Sequence, residues 1–333
     1  MKKFINDPEN LVSELLEGYA AAYAKKIKLE GNNLVCRAVP KAEGKVAIVT
    51  HGGSGHEPAL SGFVGEGMID ISVPGEIFAA PGPPRVLEAI KKADKGAGVL
   101  FVVLNHSGDV MTANIVMDMV AKQGLNVKRI DTHEDVAGGP KSEPENRRGL
   151  VGCVPLYKIA GAAAEEGRSL DEVLAVAERF NDNMATIAVA LTPASHPSTG
   201  EFIFELPDDE MEIGMGQHGE AGTGRMKLKS ADETAEIMIN MLLGDLEAKA
   251  GDKLLVMLNG TGATTLMEMF IVFRRVVQVC AEKGIEVVRG GCDEYLTVQE
   301  MAGFQMFAAK LDDELIRLWD APADTPYLTV SGK

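Results

Sequence analysis

No cysteines in this chain are spaced for chemistry. Cys36, Cys153, Cys280 and Cys292 are scattered over 333 residues without a C-x-x-C pair, which excludes a zinc ribbon and a thioredoxin-like redox motif. Four isolated thiols fit a reducing compartment, so a cytoplasmic protein with no metal site of its own is expected. Aromatic residues make up only 5%, with a single tryptophan, a composition poorer than a β-sandwich core usually carries. Cationic charge is short as well. The 33 Lys and Arg face 49 Asp and Glu, for a formal charge of −16, which argues against nucleic acid and anionic membranes as partners. No run of about 18 apolar residues occurs, so no membrane-spanning helix is expected. Met1-Lys2-Lys3-Phe4 turns acidic without an apolar stretch, so no signal peptide is expected either.

What is present is glycine (36 residues) and a 46% hydrophobic content, distributed in alternating strand and helix patterns. The length gives a prior of about two domains, and the pattern predicts two α/β domains. The first, 1–182, reads as a mostly parallel, doubly wound sheet. The second, 183–333, is a smaller α/β domain, with a C-terminal tail able to pack back on the first.

The chain is organised around Thr50-His51-Gly52-Gly53-Ser54-Gly55-His56-Glu57-Pro58. The apolar run Val46 to Val49 precedes it, and the spacing predicts a buried strand, a glycine turn and a helix whose first turn holds Pro58. Backbone N–H groups in such a turn can approach a small anionic or hydroxylated ligand, because glycine has no Cβ to block it. His56 then either caps the turn or moves protons near neutral pH. Gly52, Ser54 and His56 miss the G-x-S-x-G elbow, no Lys-Ser/Thr follows for a phosphate loop, and Leu60 stands where an H-E-x-x-H helix needs histidine.

Ile69 to Val73 alternates as a strand and enters a Pro/Gly loop, 74–84. Gly98 to Leu104 is a continuous apolar run, as a parallel strand covered on both faces requires, and it empties into Asn105-His106-Ser107-Gly108-Asp109, with a helix expected near 112–123. Three strand exits, 50–56, 74–82 and 105–109, therefore carry glycine with His, Glu or Asp. Ligands of open parallel sheets sit at the strands' carboxyl ends, so these loops are expected to converge. Residues 132–148, rich in charge, glycine and proline, read as an exposed loop.

In the second half, Gly214-Met215-Gly216-Gln217-His218-Gly219-Glu220-Ala221-Gly222 matches G-x-G-x-x-G without the apolar helix a dinucleotide site needs. What remains is a histidine in a glycine bed, either a surface residue or an imidazole presented as nucleophile or metal ligand. Gly260 and Gly262 read as a strand–helix turn in preference to a phosphate cradle.

Taken in order, G-G-S-G-H-E-P-A-L at 52–60, N-x-S-G-D at 105–109 and G-x-G-x-H-G-E-x-G at 214–222 resemble the dihydroxyacetone kinase family, specifically its ketose-binding K subunit. Lys158 to Ala164, Asn259-Gly260, Met301-Ala302-Gly303-Phe304 and Asp320-Ala321-Pro322 extend the likeness over nearly the whole chain. The resemblance implies that His218 adds to a ketone to form a hemiaminal, that Asp109 takes the proton of the attacking hydroxyl, and that His56 assists proton movement. Gly53, Ser54 and Gly55 would complete the substrate pocket, with Leu104 beside them. It also implies a homodimer, no cofactor on this chain, and ATP or ADP with Mg²⁺ on a separate L subunit, served in phosphotransferase-linked systems of glycerol metabolism by an M subunit. The ketose is either dihydroxyacetone or a four-carbon relative such as erythrulose.

The departures are His51 for the family's usual glycine, Ala80 for serine, Leu104 and His106 for lysine and tyrosine, and Gln217 and Ala221 for isoleucine and proline. They keep alive a second reading, a non-catalytic ketose sensor or co-regulator, although Asp109 favours catalysis. A lysine Schiff-base lyase is disfavoured because no lysine lies in the candidate loops.

Overall fold

A computed structural model describes residues 2–220 and 222–332. The departure noted at Ala221 lies outside them. The chain forms two compact α/β units that are interleaved in sequence. One comprises residues 2–132, 153–179 and 314–332, and the other 133–152 and 180–313. The sequence crosses between them four times, where the residue pattern predicts a single boundary near residue 182.

The first unit is built on a six-stranded sheet of β1 (Ile27–Glu30), β2 (Leu34–Arg37), β3 (Ala47–Ser54), β4 (Ile71–Ile77), β5 (Val99–Leu104) and β6 (Val127–Thr132). Their order is β1-β2-β4-β3-β5-β6. The β4-β3-β5-β6 part is parallel, and β1 and β2 extend it antiparallel. β3 and β5 are central, and the six residues of β5 are all buried, as the unbroken apolar run requires. The unit's helices are α1 (Leu11–Ala22), α2 (Pro83–Ala93), α3 (Ser107–Gln123), α4 (Cys153–Glu165) and most of α5 (Leu170–Asp182). Val49, Phe101 and Val103 pack with Val86, Ile90, Ala113 and Val116 of α2 and α3. Side chains alternate along a strand, so Thr50 points the other way, and its Oγ1 meets the hydroxyl of Tyr157 on α4 at 2.8 Å.

The second unit contains β7 (Met184–Ala190), β8 (Glu210–Ile213), β9 (Gly224–Lys227), β10 (Lys253–Gly260), β11 (Glu286–Asp293) and β12 (Gly303–Lys310). Their order is β11-β10-β12-β7-β8-β9, with only β10 and β11 parallel. Helices α6 (Ala231–Asp245) and α7 (Leu266–Glu282) cover one face through Met238, Leu242, Val272 and Val276. Both start with capping boxes, Ser230 with Glu233 and Thr265 with Glu268, which satisfy backbone donors that no turn of helix can reach. α8 (Asp313–Asp320) returns the chain to the first unit.

Two local expectations fail. No α-helix follows the glycine stretch. β3 instead runs through to Ser54, and only a short 3-10 turn, Ser61–Phe63, comes after it. Glycines at 62, 65 and 67 weaken helix propagation, and Gly65 and Gly67 adopt positive φ. Residues 132–148 are not simply exposed either. Glu134, Asp135 and Arg147 are buried: Glu134 accepts the backbone amides of Leu150 and Gly152, and the charges of Asp135 and Arg147 are paired. Arg148 Nε donates to Asp135 at 2.6 Å and Arg147 to Asp245 at 3.0 Å, as burial of charge demands. No described helix is long and apolar enough to cross a membrane.

Candidate functional site

In the first unit the three strand exits come together. Gly53 lies so close to the second loop that a Cβ would stand 2.6 Å from the Ala79 nitrogen and 3.0 Å from the Phe78 carbonyl carbon. Only glycine fits there. Ser54 Oγ donates to Gly75 O at 2.7 Å, and the Phe78 amide donates to Ser54 O at 2.8 Å. The third exit joins through the start of α3, where Thr112 Oγ1 donates to Pro81 O at 3.2 Å. A Cβ on Gly108 would lie 3.7 Å from that of Ala80, so the third loop runs in van der Waals range of the second.

Gly55 turns the chain at φ +101°, its amide donating to Glu57 Oε1 at 3.0 Å. Burial raises the Glu57 carboxyl above its ordinary range, against that backbone bond. The turn delivers His56, buried, with its ring tilted against Phe78 at 5.0 Å between centroids. Leu104 is buried at the end of β5, an apolar residue where the family usually has lysine.

Asp109 is not a loop residue, contrary to the sequence expectation. α3 begins at Ser107, which places Asp109 in its first turn, where the positive end of the helix favours a carboxylate. Sequence reasoning missed its neighbour. His51 Nε2 lies 3.2 Å from the Asp109 carbonyl oxygen and 3.5 Å from Oδ1. The only signal in the sequence was a histidine where the family has glycine.

His218 lies in the second unit, on the 214–223 connection between β8 and β9. Gly214 and Gly219 take positive φ, and the loop closes on itself through the Gly216 amide to Glu220 O at 2.8 Å and the Thr223 amide to Ile213 O at 2.8 Å. A Cβ on Gly216 would collide with Glu220 and Arg148. Gln217 anchors the loop by donating from Nε2 to Gly149 O at 3.2 Å. Glu220, passed over in the sequence, binds the histidine twice. Its Oε2 accepts the His218 amide at 2.9 Å and its Oε1 lies 3.2 Å from Nδ1. Burial raises the Glu220 carboxyl, but the bonds and charge of His218 outweigh it and hold the group well below the usual range. A carboxylate only accepts, so Nδ1 carries the hydrogen, and in the neutral ring the lone pair is on Nε2. The His-x-Glu spacing in a glycine bed was the available signal.

The fold and these loops define a class, a two-unit α/β protein with a glycine-cradled His and a helix-start Asp on one unit and a carboxylate-oriented imidazole on the other. The Dak1 domain profile matches residues 17–327, and the chain belongs to that family, as a relative of the dihydroxyacetone kinase K subunits. It is 38% identical over 327 residues to the dihydroxyacetone-binding subunit of PTS-dependent dihydroxyacetone kinase 1 from Listeria innocua, covering 98% of this chain and 99% of that one. Among solved structures, the dihydroxyacetone kinase of C. freundii superposes with a TM-score of 0.90 at 28% identity, over 99% of this chain and 60% of that longer one. The dihydroxyacetone kinase operon co-activator Dha-DhaQ gives 0.89 at 28% identity, over 96% and 98%.

Proposed function

We propose that this chain is the ketose-binding subunit of a dihydroxyacetone-type kinase, acting on dihydroxyacetone or a four-carbon ketose. The observation that carries the reading is the His218–Glu220 contact, which leaves the lone pair on Nε2. Nε2 attacks the ketone carbon, the N–C bond forms, and the carbonyl π pair moves onto oxygen. The imidazolium then gives up its Nδ1 hydrogen by way of Glu220, the oxygen gains a proton, and a neutral hemiaminal results. A three-carbon polyol offers little surface for ordinary selection, so a covalent bond that requires a carbonyl separates ketoses from glycerol.

Asp109 accepts the proton of the terminal hydroxyl as that oxygen attacks the phosphorus of the donor. His56 holds a substrate oxygen and assists the proton. Gly53, Ser54 and Gly55 line the site with backbone donors, and Leu104 closes it with an apolar wall. The nucleotide, ATP or ADP with Mg²⁺, belongs to a separate L subunit and gives up its γ-phosphoryl group as ATP, bound ADP being rephosphorylated in phosphotransferase-linked systems by an M subunit. The chain works as a cytoplasmic homodimer.

The second reading is a ketose sensor that does not transfer phosphate, favoured by the likeness to the operon co-activator and by leucine at position 104. Carbon NMR with dihydroxyacetone and erythrulose labelled at the carbonyl tests the anchor. A protein-bound tetrahedral carbon that vanishes in His218→Ala is expected, and free carbonyl with both sugars would refute it. Sugar phosphate formed on adding an L subunit and ATP separates kinase from sensor.

A further inference from the structure

His51 is fully buried on the central strand β3, with its ring stacked on Phe101 at 5.2 Å between centroids. Strand alternation puts it on the face of Val49, toward α3. A small or apolar residue would fill that place without difficulty, whereas imidazole brings two polar nitrogens into the core. One of them, Nε2, hydrogen-bonds the Asp109 carbonyl at 3.2 Å and lies 3.5 Å from the Asp109 Oδ1, close enough for its N–H dipole to act on the carboxylate without a hydrogen bond to it. The other, Nδ1, has no hydrogen-bond partner among the described residues. Both groups opposite Nε2 are acceptors, so Nε2 carries the hydrogen and Nδ1 is a buried acceptor without a donor. That arrangement is destabilising, and among the described residues the contact with Asp109 is the only polar interaction it secures.

We propose that His51 is a positioning residue for Asp109, a neutral imidazole that pins the first turn of α3 and holds the carboxylate ionised and aimed. The inference rests on the reading of Asp109 as the proton acceptor. Burial pushes the His51 imidazole down to about 4, with the Asp109 backbone bond opposing and the Arg129 charge adding to the fall, so it stays neutral through the working pH range. The ionisable groups around it are Asp109 from α3 and Arg129 from β6. Tyr157 of α4 reaches the strand through Thr50 on the other face, its hydroxyl raised well above its ordinary range by burial, with the Asp109 charge a lesser cause. A positive charge here would neutralise the base, whereas a neutral N–H dipole orients it without taking its place. The geometry therefore needs imidazole kept from protonation, which the buried position provides.

The test uses the full chain with its nucleotide-binding partner, ATP and dihydroxyacetone, comparing wild type, His51→Leu, His51→Gln and Asp109→Asn. Loss of the dipole lowers kcat in His51→Leu by roughly 10- to 100-fold, as for other partners that orient a reacting group, with KM for the ketose nearly unchanged. His51→Gln, whose amide N–H can face the same acceptors, recovers part of the loss. Carbon-detected NMR of the Asp109 carboxyl, assigned by its disappearance in Asp109→Asn, gives a readout independent of turnover. Its titration midpoint rises in His51→Leu by about one unit, a tenfold gain in proton affinity. An unchanged midpoint in both His51 variants overturns the proposal. If His51→Leu does not fold, the midpoint and kcat of His51→Gln against wild type decide it. Full turnover in Asp109→Asn would instead remove the base assignment, and the carboxyl midpoint would still show whether His51 tunes Asp109.

Discussion

Glu134→Gln probes the carboxyl that supports the backbone beneath the His218 loop. Glu134 Oε1 accepts the amides of Leu150 at 2.7 Å and Gly152 at 2.9 Å, directly after Gly149, the residue that receives Gln217. Burial pushes the Glu134 carboxyl up to about 7, in spite of those two donors. A raised acid is protonated in the fold while the unfolded chain ionises from about 4.5 upward. Its contribution to stability is therefore full below about 4.5 and declines as pH rises to about 7, after which it is constant. At 1.36 kcal/mol per unit, the gap is worth about 3 kcal/mol. Glutamine keeps the accepting oxygen and cannot ionise. Urea unfolding at pH 5 should find the variant within about 1 kcal/mol of wild type, and at pH 8 it should be the more stable by about 3 kcal/mol. If the variant loses as much stability between pH 5 and pH 8 as wild type does, Glu134 is not the group responsible and the reasoning fails.

The reacting residues give further expectations. Asp109→Asn should leave the tetrahedral carbon signal of bound ketose intact and reduce phosphoryl transfer by about 10²- to 10⁴-fold, measured by the coupled assay; turnover at the wild-type rate would remove Asp109 from its role. Gly53→Ala should force the 77–80 backbone away from β3 and destabilise the protein by about 1–3 kcal/mol, seen as a lower urea midpoint with weaker ketose binding. A variant that melts and binds like wild type would mean the 2.6 Å approach to Ala79 relaxes freely.

Much of this architecture is legible in the residues. The unbroken Val99 to Leu104 run is a central parallel strand, as its composition demands, and the three glycine-bearing exits of the first unit do meet. Legibility fails where tertiary pairing overrides local pattern. Residues 132–148 look like a solvated loop because charge normally stays outside, yet Asp135 is buried against Arg148 at the other end of the same stretch and Arg147 against Asp245, 98 positions on. The stretch after Ser54 has a proline suited to a first helical turn, but its glycines carry it through irregular backbone instead. Asp109 reads as a loop residue because Asn105, Ser107 and Gly108 are turn formers; α3 nonetheless starts beneath them. His51 and Glu220 escaped because each contacts a neighbouring residue, Asp109 and His218 respectively. Spacing reveals a residue that meets a ligand more readily than one that orients another side chain.

The interleaving of the two units has a consequence for how the protein is made. Lys158 is wholly buried in α4, and its ammonium donates to the Leu318 carbonyl 160 positions later, at 2.7 Å. Glu66 similarly forms a bridge with Asp324. A ribosome adding about 5–20 residues per second emits Leu318 roughly ten to thirty seconds after Lys158. Through that interval the sheet of the first unit can assemble, but α4 holds a cation whose acceptor has not yet been synthesised. The earliest-made unit is thus the last to be sealed, and chaperone access to it extends over the translation of nearly the entire second unit.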